Sequence, residues 1–122
     1  MWTKTLKVMT LFVGLSTMVA CGGGNARCDM REKTPQCTDW RGSLNPTWVT
    51  QEALCATLGG TGVGGVFQKG ETCPTDGMWG GCQATFGDGS KQTNWYYMGD
   101  KYKTLESAQA NCDKSMTWLS PQ

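Results

Sequence analysis

The sequence predicts an α+β fold: two helices packed on a three- or four-stranded antiparallel sheet, in a small domain stapled by disulfides. Three observations carry this. Cys28, Cys37, Cys55, Cys73, Cys82 and Cys112 are spread widely through one short stretch of chain, as in a disulfide framework. Two segments, around Leu54 and around Ala108, combine helix-start signals with an apolar face. Between them residues 82–86 alternate apolar and polar, and Asp88-Gly89 separates them from an aromatic run, which is the pattern of a hairpin.

Taken in order, residues 1–20 read as a signal peptide. Lys4 and Lys7 make a basic start, and no residue from Val8 to Ala20 is charged. That run is shorter than the roughly 20 residues that span a bilayer. Residues 21–27 hold Cys21 and a small-residue tether, Gly22-Gly23-Gly24-Asn25-Ala26-Arg27. Residues 28–46 read as an irregular N-terminal strip, because charges, Pro35, Gly42 and Pro46 interrupt any periodicity. Residues 47–122 form the cysteine-rich α+β domain. Its first helix covers 47–58, started by Pro46 and Thr47, with Leu54 and Leu58 one turn apart and Gly59-Gly60 after them. Strands are expected over 63–72, 82–86 and 93–98, with a short edge strand at 117–119. The second helix starts at Thr104, a suitable N-cap with Glu106 in the first turn, and Leu105, Ala108 and Cys112 line one face. Thr47 and Thr104 each stand eight residues before a cysteine, which suggests two related helix-then-strand halves.

The cysteines compete between two chemistries. Zinc sites pair ligands two to four residues apart, whereas Cys28 and Cys37, like Cys73 and Cys82, have eight residues between them and the chain has no His. Disulfides follow. Cys28–Cys37 is expected because the two sit alone in the irregular strip. Cys55–Cys73 and Cys82–Cys112 would each join a helix to a strand.

Met18-Val19-Ala20-Cys21 resembles the lipobox of bacterial lipoproteins, with Met18 where Leu is usual. The resemblance implies acylation of Cys21 by palmitate-like chains, removal of residues 1–20, and attachment to a membrane. Gly22 in place of Asp after that Cys implies sorting to an outer membrane. Lipidation would also explain why the seven cysteines are odd in number. Cys73-Pro74, Gly81-Cys82, Tyr96-Tyr97 and Ser107-Ala108 ahead of Cys112 resemble a pattern recurring in small cysteine-rich bacterial lipoproteins, a group with no assigned activity.

Composition narrows function mainly by exclusion. With 11 Lys+Arg against 10 Asp+Glu, the chain lacks the basic footprint of a nucleic-acid binder. Without His it lacks the commonest general base and metal ligand, and no serine can be paired with a base. Gly60-Thr61-Gly62-Val63-Gly64-Gly65 spells a dinucleotide fingerprint, but a helix precedes it and a strand follows, the reverse of what such a site needs. No catalytic residue, cofactor or metal is therefore expected. The surplus is aromatic. Trp79, Trp95, Tyr96 and Tyr97 are the candidate binding surface, with Trp79 in a Gly-flanked loop and alternation placing Trp95 and Tyr97 opposite Tyr96. The function expected is a non-catalytic, lipid-anchored cell-envelope protein that binds a protein partner or is structural. The alternative is a module for a glycan such as peptidoglycan, and a hydrolase or hydrolase inhibitor comes behind both.

Overall fold

A computed structural model describes residues 24–43, 48–58 and 63–121. The leader 1–20, Cys21, the helix-start residues Pro46 and Thr47, and the glycine run 59–62 lie outside them. The strands are β1 (Gly24–Asp29), β2 (Gln36–Ser43), β3 (Val66–Lys69), β4 (Met78–Thr85), β5 (Lys91–Tyr97) and β6 (Thr117–Leu119). They form one sheet in the order β3-β1-β2-β5-β4-β6, every pair antiparallel. Two short helices, α1 (Trp48–Cys55) and α2 (Leu105–Gln109), complete the set. Neither is long and apolar enough to cross a membrane.

This corrects the expected two helices on three or four strands: the fold is mostly a six-stranded antiparallel sheet. The extra strands come from residues read as tether and irregular strip, which become β1 and β2. β1 does alternate, with Ala26 and Cys28 buried between Asn25, Arg27 and Asp29, but opens in the glycine run read as tether; for β2 the reason lies in burial. Cys37, Thr38, Asp39 and Trp40 are consecutive and all buried. A strand covered on both faces has no solvent side and so loses the apolar–polar alternation that identifies strands in a sequence. The helices are shorter than expected. Gly64 and Gly65 N–H groups donate to the Leu58 and Cys55 carbonyls, and Gly65 is obligatory because a Cβ there would lie 2.6 Å from Cys28 Sγ. Thr104 does cap α2, through a capping box closed by Ser107 rather than by an acidic residue.

The suggested halves are real and larger than expected. β1-β2-α1-β3 and β4-β5-α2-β6 have the same order of elements, and in the sheet they give the mirrored orders β3-β1-β2 and β5-β4-β6. The ladder repeats this residue by residue. Cys28 faces Thr38 as Cys82 faces Asn94, and Ala26 faces Trp40 as Gly80 faces Tyr96. A pseudo-twofold axis therefore crosses the sheet at the Thr38–Asn94 pair between β2 and β5.

Cross-strand register sorts the side chains onto two faces. One face buries Ala26, Cys28 and Trp40 against α1, and Cys82 and Tyr96 against Tyr102 and Ala108 of the α2 region. Disulfides Cys28–Cys55 and Cys82–Cys112 pin the helices there, with Cα separations of 5.5 and 5.3 Å. The other face carries Cys37, Met78, Trp95 and Tyr97, closed by Cys73 from the segment joining the two halves. Its bridge is Cys37–Cys73, 6.0 Å between Cα atoms.

The expected Cys28–Cys37 and Cys55–Cys73 bridges are thus replaced, while Cys82–Cys112 is present. Cys28 pairs with Thr38, the neighbour of Cys37, so alternation turns the Cys28 and Cys37 side chains to opposite faces. Cys55 and Cys73 are likewise on opposite sides of the sheet.

Asp39 binds the joining segment to the sheet. Fully buried, its carboxylate accepts hydrogen bonds from Trp95 Nε1 at 3.0 Å and the Cys73 backbone N–H at 2.9 Å. Arg41 completes the shell with two contacts of 3.1 and 2.7 Å. Removing one partner of a buried, charge-assisted network strands the rest. Asp39→Ala should therefore lower the unfolding free energy by about 3 kcal/mol, measured by urea denaturation, and Trp95→Phe should lower it less. Non-reducing peptide mapping should recover Cys28–Cys55, Cys37–Cys73 and Cys82–Cys112 and no Cys28–Cys37 peptide.

Candidate functional site

The helix-bearing face carries a helix at both ends and none along its middle, where Thr38, Trp40 and Tyr96 are nonetheless buried by the walls around them. α1 sits over β1 and α2 beside β4, so the facing residues of the central strands β2 and β5 form the floor of a cleft between the helices. Three cross-strand rungs make that floor: Gln36 with Tyr96, Thr38 with Asn94, and Trp40 with Gln92. The side chains are linked as well. Thr38 Oγ1 donates to Asn94 Oδ1 at 2.9 Å, and Trp40 Nε1 donates to Gln92 Oε1 at 2.9 Å. Gln36 Nε2 donates to the Tyr102 hydroxyl at 2.6 Å.

Two depressions open along this floor, one on each side of the Trp40–Gln92 rung. The first, of about 180 Å³, is lined by Gln36, Thr38, Asn94 and Tyr96, with Met30, Leu58 and Lys101 as walls. The second, of about 320 Å³, lies against Trp40, Ser43, Gln51 and the hairpin residues Phe86 to Lys91. Gln51 Oε1 there is buried without a hydrogen-bond partner, so a donor entering the second depression would satisfy it. The first depression presents amide, hydroxyl and phenol groups and one ammonium, with no carboxylate.

The four aromatic residues expected to form a binding surface do not come together. Trp95 and Tyr97 are 6% and 5% exposed and belong to the opposite face. Arg41 stacks over Trp95 at 5.6 Å and Arg31 over Tyr97 at 5.3 Å, while the Tyr97 hydroxyl donates to the Pro74 carbonyl at 2.6 Å. Trp79 is half-buried, packed on the α2 core with Nε1 donating to the Tyr102 carbonyl at 2.7 Å. Tyr96 alone reaches the cleft, packed edge-on against Tyr102 with ring centroids 5.1 Å apart. The exposed platform is corrected to three structural rings and one floor residue. Strand alternation was right in putting Trp95 and Tyr97 opposite Tyr96; the error was to leave one face open, when the segment between the halves covers it. Gln36, Thr38, Gln92, Asn94 and Lys101 went unseen because nothing short of register aligns residues 56 positions apart.

The carboxylates that the structure ties down serve local geometry. Asp29 is held below its ordinary pKa mainly by its hydrogen bonds with Arg31. Asp88 and Asp113 are lowered by hydrogen bonds from Ser90 and Ser115 in tight turns. Among the described residues no three His, Cys, Asp or Glu side chains converge as a metal site. No family profile, curated protein or solved structure matches the chain.

Tyrosine ionisation reports on this packing. Burial and the neighbouring Tyr102 push the Tyr96 phenol from 10.0 up to about 12, against a hydrogen bond with Asn94 that pulls it down. Burial raises Tyr97 as well. A raised pKa means that the unfolded chain gives up these protons first. The stability they hold is complete below pH 10 and is lost as pH climbs from there through about 12. Spectrophotometric titration should therefore show delayed tyrosinate absorbance, coupled to alkaline unfolding, and Tyr96→Phe should shift that transition to higher pH.

Proposed function

We propose that this chain is a non-catalytic, lipid-anchored protein of the bacterial cell envelope, acylated at Cys21 and sorted to an outer membrane. Its disulfide-tied domain binds a glycan strand, of the peptidoglycan or surface-polysaccharide class, in the cleft between the helices, where Lys101 can meet an acidic substituent. The observation that carries the anchor is cysteine parity: six of the seven cysteines pair off in three disulfides, which leaves Cys21, the lipobox residue, as the odd one. The bridges also fit an oxidising compartment outside the cytoplasm.

The glycan reading is supported by the chemistry of the cleft floor. Amide and hydroxyl groups on a rigid ladder, with a tyrosine beside them and no carboxylate, suit a ligand rich in hydroxyls and amides and poor in charge. A protein partner would favour a contiguous apolar patch. The large exposed apolar residues Val49, Leu54, Val66, Phe86, Met98 and Leu105 are instead divided between the two ends of the sheet and the helix surfaces, and none of them lines the first depression of the cleft. The non-catalytic reading is supported by the lining of the first depression, which brings together no carboxylate to serve as general acid or base.

Two measurements test this. Cys21→Ser should move the protein out of the membrane fraction or leave its precursor uncleaved; a processed Cys21→Ser protein that stays with the membrane would refute the anchor. Calorimetric titration with solubilised peptidoglycan strands should give saturable heat, and Asn94→Ala should weaken Kd by roughly tenfold, the scale of one lost hydrogen bond, measured well below its Tm, which falls too because buried Thr38 loses its acceptor. Absence of binding by the parent domain would remove the glycan reading.

A further inference from the structure

The two ends of the sheet differ in how far they can stand from a membrane. Only Gly22 and Gly23 separate Cys21 from the first strand residue, Gly24. β1 is committed to the sheet from its start: Gly24 pairs with Ser43, Ala26 with Lys69, and the Gly70 N–H donates to the Asn25 carbonyl at 2.6 Å. Three extended residue steps reach about 11 Å at most, while the headgroup layer on each side of a bilayer is itself roughly 5–8 Å deep. A lipid on Cys21 therefore holds this end of the sheet at the headgroups. The sequence had allowed six residues of tether after Cys21, over 22–27; the strand takes four of them and leaves Gly22 and Gly23.

Antiparallel pairing determines what else lies at that end. β5 begins there, with Lys91 opposite Arg41 and Thr85, so the tip of the β4–β5 hairpin projects from it. The start of α1 lies at the same end, since Gln51 meets Trp40, Ser43 and Phe86 around the second depression. Two exposed apolar side chains are here, Val49 at 82% and Phe86 at 47%; Val66 and Met98, also exposed, lie toward the opposite end. Phe86 is rigidly presented: its N–H donates to the Ser90 carbonyl at 2.8 Å and its carbonyl accepts from Gly89 N–H at 2.9 Å. Lys91 stands beside it at the foot of the hairpin, opposite Thr85, and Lys69 ends β3 at the far edge of the sheet; both are exposed cations, against Glu71 and an Asp88 carboxylate already engaged by Ser90.

We propose that this end, comprising the hairpin tip and the first turn of α1, docks on the bilayer interface, with Phe86 and Val49 among the headgroups and Lys69 and Lys91 on lipid phosphates. The proposal rests on acylation of Cys21. It sets the domain's orientation: the turn at 31–35 and the loop at 98–103 point away from the membrane, and the depression floored by Gln36 and Asn94 opens on that outward side.

The test uses the full acylated protein in vesicles of phosphatidylethanolamine and phosphatidylglycerol. The reference is an equally acylated variant carrying a Gly/Ser insertion of about twenty residues between Gly22 and Gly23. Amide hydrogen exchange should be several-fold slower at residues 48–50 and 86–91 in the native protein than in the insertion variant, with no difference at 31–35 and 98–103. Phe86→Ser should reduce that protection without releasing the protein from the vesicles. Equal exchange at 86–91 in the two acylated proteins would overturn the docking alone and leave the anchor standing. Recovery of an unmodified, soluble chain, identified by its mass, would overturn the anchor and the docking together.

Discussion

The buried carboxylate of Asp39 is the constraint on which the rest of the structure depends. A charge removed from water needs compensation on every lone pair. Here one donor comes from each element that must meet: the Trp95 indole from β5, the Cys73 backbone from the segment joining the halves, and the Arg41 guanidinium from β2 itself. These contacts fix the β2–β5 seam and draw the joining segment across the sheet. Cys37–Cys73 then locks it covalently, and Arg27 and Tyr97 hydrogen-bond the Thr72 and Pro74 carbonyls on either side. A sheet face that would otherwise expose Trp95 and Tyr97 is thereby closed with no helix on it. Gly81 contributes through its missing side chain, since a Cβ there would lie 2.6 Å from the Trp95 ring.

The duplicated β-β-α-β plan explains why the cleft exists. Each half carries its helix over its own outer strands, pinned by one disulfide to the first strand of that half. When the halves join through β2 and β5, the helices are left apart and the seam between them carries no helix, so it is reached through the two depressions. The seam is also where the pseudo-twofold axis passes, so the floor repeats itself: Trp40 with Gln92 on one side of Thr38–Asn94, Tyr96 with Gln36 on the other. Polar residues are tolerated there because each finds a partner, Thr38 with Asn94 and Trp40 with Gln92 across the seam and Gln36 with Tyr102 beside it. If the chain is anchored at Cys21, the same geometry sets how that cleft stands on the membrane, since the strand that leads from the anchor also fixes the register of the sheet.

Part of the site was within reach of the sequence. The repeated Thr-to-Cys spacing in the two helices pointed to two halves, and that is the signal from which a symmetric seam could have been drawn. The aromatic residues pointed elsewhere. Trp95 and Tyr97 looked like surface candidates because a small sheet with helices on one side leaves its other side open. The closing segment, residues 70–77, has no helical or strand periodicity and so carried no warning that it would serve as a cover.

What the sequence by itself determined was whatever depends on neighbours along the chain or on counting. The uncharged apolar run over 8–20, the odd number of cysteines, the Thr104 cap, the Asp88-Gly89 turn and the β5 alternation are all of this kind. Tertiary structure alone decided β1 and β2, the partners of Cys28 and Cys37, and the cleft floor. The physical reason is shared. Residues buried on both sides, like those of β2, lose the periodicity that marks a strand, and a polar or charged residue such as Asp39 reads as surface until the donors that surround it, 34 and 56 residues away, are brought into place by the fold.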